Sequence, residues 1–355
     1  MNTKTVLEKA SVQKRLSFDE AVALFAYADL LELGEVSDAV RRQKHPEEIV
    51  TFLIDRNINY TNICRNQCSF CAFYRPKGHP EAYVLSGEEI EKKIEETVQL
   101  SGTQVMLQGG INPDLTIEYY TKMFSGIKDK FNIRIHSLSP PEIVYIAESS
   151  GITLEETLKA LVNAGLDSLP GGGAEVLVDR VRQKISPKKI SSSQWLEVME
   201  EAHRLNLRTT ATMMFGTVET VGERILHLQK IRDLQDRTGG FMSFIPWTFQ
   251  PGNTPLGGKP VSSLEYLRTL AISRLFLDNF SNVQGSWVTQ GKDIGQLCLS
   301  FGANDLGSIM IEENVVRAAG ISHRITVEEM VDLMKKAGKI PAQRDTEFNI
   351  LRVYE

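Results

Sequence analysis

Ile58-Asn-Tyr-Thr-Asn-Ile-Cys64-Arg-Asn-Gln-Cys68-Ser-Phe-Cys71 joins a β-rich run to a loop carrying three of the chain's four cysteines; the fourth, Cys298, lies far downstream. An odd number of thiols in one loop cannot pair off as disulfides, and thiolates this close wrap a single metal centre. Three of them leave a four-coordinate site one ligand short, so the missing position is open or filled from outside the motif. The gaps of three and then two residues differ from the paired Cys-x-x-Cys clips of structural zinc and from ferredoxin runs. The stretch reads as a strand delivering an incomplete metal site.

Outward from that strand, short β-rich runs alternate with amphipathic stretches about every 30 residues, the signature of repeated βα units. Eight strands are expected, at 58–63, 104–108, 133–138, 166–169, 209–215, 242–248, 282–288 and 303–308. Helical patterns lie between them at 86–100, 116–130, 154–164, 192–205, 218–234, 262–280 and 294–301. Parallel strands need both faces covered and crossovers are right-handed, so eight such units close most economically as an α/β (β/α)8 TIM-type barrel. An open doubly wound sheet is the alternative. Residues 1–55 read as an N-terminal helical extension, with Ser17-Phe-Asp-Glu20 as a capping box. Residues 56–355 form the barrel, with a last helix at 327–337 and an irregular end.

Composition narrows the function. The 355 residues carry a net charge of −5 with both signs scattered, leaving no basic face for a phosphate backbone, so nucleic acid is not an expected partner. No run of about 18 apolar residues is present, and the first residues lack a signal peptide's apolar core. The expected location is the cytoplasm, where thiols stay reduced and can carry iron and sulfide.

The loop Cys64-x-x-x-Cys68-x-Phe70-Cys71 after the first strand of a βα barrel resembles the radical S-adenosylmethionine superfamily. Asn59-Tyr-Thr-Asn62, Gln108-Gly-Gly110, Leu169-Pro-Gly-Gly-Gly-Ala-Glu175, Ile245 to Thr254, Ser286-Trp-Val-Thr289 and Gly302 to Gly307 look like its futalosine-pathway and deazaflavin-synthase branch. The resemblance implies that Cys64, Cys68 and Cys71 hold three irons of a 4Fe-4S cluster and that S-adenosyl-L-methionine occupies the fourth. It further implies radical cyclisation of dehypoxanthine futalosine in menaquinone biosynthesis, with a flavodoxin- or ferredoxin-type electron donor. Aminofutalosine synthase and deazaflavin-precursor synthase chemistry are the alternatives within the branch. A non-catalytic structural metal protein, with zinc completed by His79, is the alternative outside it.

Barrel active sites gather at the C-terminal ends of the strands. By the same resemblance Phe70, Tyr74, Gln108, Gly109, Gly110 and Glu175 contact S-adenosylmethionine; two glycines let a chain approach a ligand closely, and Glu175 could alternatively cap the following helix. Arg134 and His136 share one side of the third strand and are candidates to hold a benzoate carboxylate and take a proton. Ser139, Asn304 and Asp305 are candidate substrate hydroxyl contacts, with capping as the alternative. Met213 and Met214 read as core filler, Trp247 and Trp287 as cavity walls, and Cys298 as a buried thiol.

Overall fold

Between residues 55 and 283 each strand pairs with its sequence neighbour. A computed structural model describes residues 2–355. It contains β1 (Ile49–Leu53), β2 (Asp55–Ile58), β3 (Gln104–Leu107), β4 (Arg134–Ser137), β5 (Ser168–Leu169), β6 (Arg208–Phe215), β7 (Phe241–Thr248), β8 (Asn282–Val283), β9 (Asp305–Ser308), β10 (Ile340–Arg344) and β11 (Ile350–Val353). Strands β2 to β8 form one parallel sheet in sequence order. The eighth position belongs to β9, which pairs in parallel with β1 and bridges to the residue after β8 through Gln284 and Asp305. The Ile309 and Ile311 amides continue that seam by donating to the carbonyls of Leu53 and Asp55. Because β1 runs directly into β2, the ring closes as a (β/α)8-type barrel.

Strand alternation separates lumen from core. Asp55 and Asn57, Gln104 and Met106, and Thr210 and Thr212 line the interior, while the neighbouring Ile58, Val105 and Ala211 are fully buried in the hydrophobic core. The covering helices include Gly87–Gln99, Ile117–Lys130, Leu154–Asn163, Ser192–Arg204, Val221–Thr238 and Ser263–Phe276. Most begin at a reciprocal Ser or Thr capping box, which satisfies two otherwise orphaned amides. The leading helices Phe18–Tyr27 and Leu30–Lys44 pack on Ser263–Phe276, and Ser17 and Glu20 form the expected box.

The first strand lies earlier than its expected 58–63. β1 falls within the stretch assigned to leading helices, and residues 59–63 make only isolated pairings, Thr61 with Val84 and Ile63 with Arg75. The expected irregular end is instead the hairpin β10–β11, whose first strand pairs in parallel with β1. Helices Pro140–Ser150 and Asp179–Ile185 were not anticipated, nor were the single turns Val315–Ala318 and Trp287–Gln290, the latter replacing the end of the expected strand 282–288.

Candidate active site

Residues 63–75 form a loop closed at its neck. The Cys64 amide donates to the Arg75 carbonyl (3.1 Å), and the Arg75 amide donates to that of Asn62 (2.7 Å). The Arg75 guanidinium gathers the carbonyls of Ala72, Phe73 and Tyr74. Opposite, the Ser69 amide donates to Ile185 and its carbonyl accepts from Leu256 (2.7 Å). Within this frame Cys68 is buried, Cys64 and Cys71 are half-buried, and all three are free thiols.

Among the described residues, no three His, Cys, Asp or Glu side chains converge closely enough for a single metal ion. His79, which would have to complete a zinc site, sits in an exposed turn, its Nδ1 accepting from the Glu81 amide. Three thiols distributed around one loop suit a polynuclear cluster in which each iron takes one thiolate. Two cations stand on this side of the loop, and the half-buried Lys189 is near enough to Cys68 and Cys71 to favour their thiolates. Lys189 Nζ is 5.0 Å from the Phe70 ring centre and 2.8 Å from Glu175 Oε1, and Arg182 is 3.4 Å from Glu175 Oε2. Glu175 thus reaches the cysteine loop's side with both carboxylate oxygens in ion pairs. Its backbone is left-handed (φ 42°), a conformation non-glycine residues adopt rarely. Tyr74 is half-buried, and its carbonyl is one of those held by Arg75.

Gln108-Gly-Gly110 meets this loop at the end of β3. A Cβ on Gly109 would lie 2.6 Å from the Tyr60 ring, and one on Gly110 would lie 2.2 Å from the Ile63 carbonyl oxygen and 2.9 Å from Cys64 Cβ. The close approach expected toward a ligand is therefore made toward protein: the glycines seat the cysteine loop against the barrel. Glu142 reinforces the seat from the unanticipated helix, accepting from Tyr60 Oη, the Gly109 amide (3.1 Å), and both the amide and hydroxyl of Ser139.

Below the loop the lumen encloses a cavity of about 270 Å³. Its upper wall includes Gln108, Pro170, Gly172, Trp247 and Trp287, so the two expected tryptophans do border it. His136 lines it from β4, buried, with Nδ1 2.7 Å from Ser168 Oγ and no protein partner on Nε2. Burial, with Arg344 adding to it, lowers its pKa to about 3, so the imidazole is neutral.

Several expected contacts do not reach the cavity. Arg134 opens β4 at the opposite mouth of the barrel, half-exposed and paired with Asp167 (2.9 Å) and Glu347 (3.9 Å). Ser139 is consumed as the cap paired with Glu142. Asn304 ties strands together, accepting from Arg274 and the Val283 amide and donating to Asn282. Asp305 accepts from both Arg344 Nε (2.6 Å) and Nη2 (3.0 Å), from Thr51 Oγ1 (2.6 Å) and from the Gly307 amide. These polar residues lie at strand ends as expected, but their side chains are engaged by structural partners and do not line the cavity. Met213, Met214 and Cys298 are buried core residues, and burial pushes the Cys298 thiol up to about 12.

Two residues that sequence reasoning passed over define the cavity's deep end. Arg344, from the C-terminal hairpin, lines it together with Thr346 and Phe348, its guanidinium 3.8 Å from the Phe348 ring centre. The segment after β10 thereby closes the barrel's N-terminal mouth. Asp55, the first residue of β2, also lines the cavity; Oδ2 accepts from Gln104 (2.8 Å), and the buried Oδ1 has no partner. Burial raises its pKa. The available signal was a carboxylate interrupting the apolar run Ile49 to Ile58.

A closed parallel barrel, with three cysteines on the loop after its first full strand and an enclosed lumen beneath, is the design of an enzyme that runs radical chemistry below a cluster. Residues 58–231 match the family model of the radical SAM superfamily, and residues 238–355 match the CofH/MqnC C-terminal region. Cyclic dehypoxanthine futalosine synthase of Halalkalibacterium halodurans is 48% identical over 100% of this chain and 96% of its own. Aminodeoxyfutalosine synthase of Thermus thermophilus is 37% identical over 99% of this chain and 96% of its own. Methylornithine synthase, at 20% identity, shares the fold with a TM-score of 0.73, covering 95% of this chain and 97% of that one. The chain belongs to the radical S-adenosylmethionine superfamily, in the group carrying the CofH/MqnC C-terminal region, and that superfamily uses a 4Fe-4S cluster and S-adenosylmethionine. No helix is long and apolar enough to cross a membrane among the described residues.

Proposed function

We propose that this protein cyclises dehypoxanthine futalosine in the cytoplasmic synthesis of menaquinone. The observation that carries this reading is the end-to-end likeness to a cyclic dehypoxanthine futalosine synthase, at 48% identity, against 37% for the aminodeoxyfutalosine synthase. With the cluster on Cys64, Cys68 and Cys71, bound S-adenosylmethionine would supply a 5'-deoxyadenosyl radical that takes a hydrogen atom from the substrate's ribose. The resulting carbon radical would add to the benzoate ring, and the adduct would regain aromaticity by returning one electron to the oxidised cluster and releasing one proton to solvent. The cluster receives its electron from a flavodoxin- or ferredoxin-type donor.

The chain's own residues hold, orient and exclude. Gln108, Phe70, Tyr74 and Glu175 bound the space beside the cluster loop where S-adenosylmethionine would sit; Glu175, anchored by Lys189 and Arg182, presents a fixed acceptor to the cofactor's amino or hydroxyl groups. Met106, Ile245, Trp247 and Trp287 line the lumen with apolar surface that keeps water and stray hydrogen donors from a carbon radical. His136, neutral with Nε2 unbonded, offers a hydrogen bond that orients the substrate; a pKa near 3 makes it too weak a base to retain a proton at neutral pH.

The test is to incubate reduced, reconstituted protein with S-adenosylmethionine and each candidate substrate, following 5'-deoxyadenosine and product by mass. Deoxyadenosine and a cyclised product are expected with dehypoxanthine futalosine. Turnover only with a substrate of the aminofutalosine or deazaflavin-precursor reactions would overturn the reading.

A further inference from the structure

Asp55 is the one carboxylate lining the cavity that keeps an unpartnered oxygen. The other cavity carboxylate, Glu313, accepts from the amides of Val315, Val316 and Arg317. Asp55 is 3% exposed, and it spends Oδ2 on Gln104 while Oδ1 finds no donor. A buried polar atom left unpaired costs about 1–3 kcal/mol, more if charged, and such atoms recur where a ligand completes the bond. β2 is flanked by β3 and by the residues following β9, whose Ser308 hydroxyl stands beside this carboxylate and accepts from the Asp55 amide (3.2 Å), so a further donor comes from the cavity.

The surroundings specify that donor. Arg344 is the cation at this end, and its charge is balanced by Asp305, which takes Nε and Nη2, while Nη1 donates to the Asp345 carbonyl (2.9 Å). A ligand carboxylate would find that charge already balanced and would face Asp55. A neutral hydroxyl finds an acceptor in Asp55 Oδ1, and a second partner in His136 Nε2, which is also unbonded. We infer that Asp55 anchors the sugar of the ligand, its Oδ1 forming a hydrogen bond with a ribose hydroxyl. The assignment rests on the proposed cyclase reading and deepens it, making Asp55 a substrate-positioning residue.

The experiment measures equilibrium binding, with no reductant present, of dehypoxanthine futalosine, its 2- and 3-deoxyribose analogues and its des-carboxy analogue. The proteins are the wild type, Asp55→Ala and Asp55→Asn, each checked for wild-type iron content and thermal midpoint. Wild type is expected to bind one deoxy analogue about 3- to 10-fold more weakly than the parent, the range for a hydrogen bond between uncharged groups. Asp55→Ala should lose the same factor for the parent and no longer distinguish that analogue. Asp55→Asn, which keeps the Gln104 contact, should fall between. Equal discrimination by wild type and Asp55→Ala would overturn the assignment, as would a loss coupled to the carboxylate instead. Failure of wild type to bind the parent at all would overturn the cyclase reading, and the assignment with it.

Discussion

At Gly110 the difference between hydrogen and methyl decides whether the cysteine loop can rest on the barrel. The built methyl lies 2.2 Å from a backbone oxygen, a contact no rotamer relieves, so Gly110→Ala must push Ile63 and Cys64 outward. The expected outcome is a loss of about 1–3 kcal/mol in stability, the range for overpacking, together with a several-fold fall in iron and sulfide after reconstitution. Full iron content in that variant would show that the loop does not depend on this seat. At this scale the sequence revealed the thiols, because three cysteines in eight residues allow few arrangements. It did not reveal which polar residues stay free. Asp305 and Asn304 look like ligands until Arg344 and Arg274 claim them, and those partners lie 39 and 30 residues away.

The legible elements carried clear local signals, amphipathic periodicity in the helices 87–99 and 192–204 and long apolar or β-branched runs in β6 and β7. β1 was lost because a short apolar run such as Ile49 to Ile54 reads equally as a buried strand or a buried helix segment. β10 was hidden by Pro341, which usually argues against a strand but here pairs opposite Val50 beside the first barrel strand. Helix Pro140–Ser150 was obscured by its two prolines, although proline in the first turn behind a Ser–Glu cap is a start signal. The C-terminal hairpin has its own test. Arg344→Met strands the buried Asp305 charge and should cost about 3–5 kcal/mol, whereas Arg344→Met combined with Asp305→Asn should recover much of it. Denaturant unfolding of both variants measures this, and equal loss in the two would show that the ion pair is not what holds the plug.

Over the whole molecule, buried histidines set an acid limit. His136 and His227 are both buried, and burial lowers each to about 3. The His227 Nδ1 accepts from the Leu177 amide, which fixes the neutral ring. Between pH 6.5 and 3 the unfolded chain binds protons at these sites that the folded chain refuses, so stability rises with pH through that window and is fully present above it. Each histidine contributes about 1.4 kcal/mol per pH unit, so the pair should give a steep fall in thermal midpoint from pH 6.5 to 5. His227→Gln should make that fall shallower, and an unaltered slope would remove His227 from the cause.

The central claim is that the polypeptide supplies three ligands to a cluster and leaves one iron for S-adenosylmethionine. The most direct measurement is the electron paramagnetic resonance spectrum of the anaerobically reconstituted, reduced protein before and after S-adenosylmethionine is added. A 4Fe-4S signal whose g values shift on addition, and which is lost in Cys68→Ser, is the expected result. A cluster spectrum indifferent to S-adenosylmethionine would contradict the account.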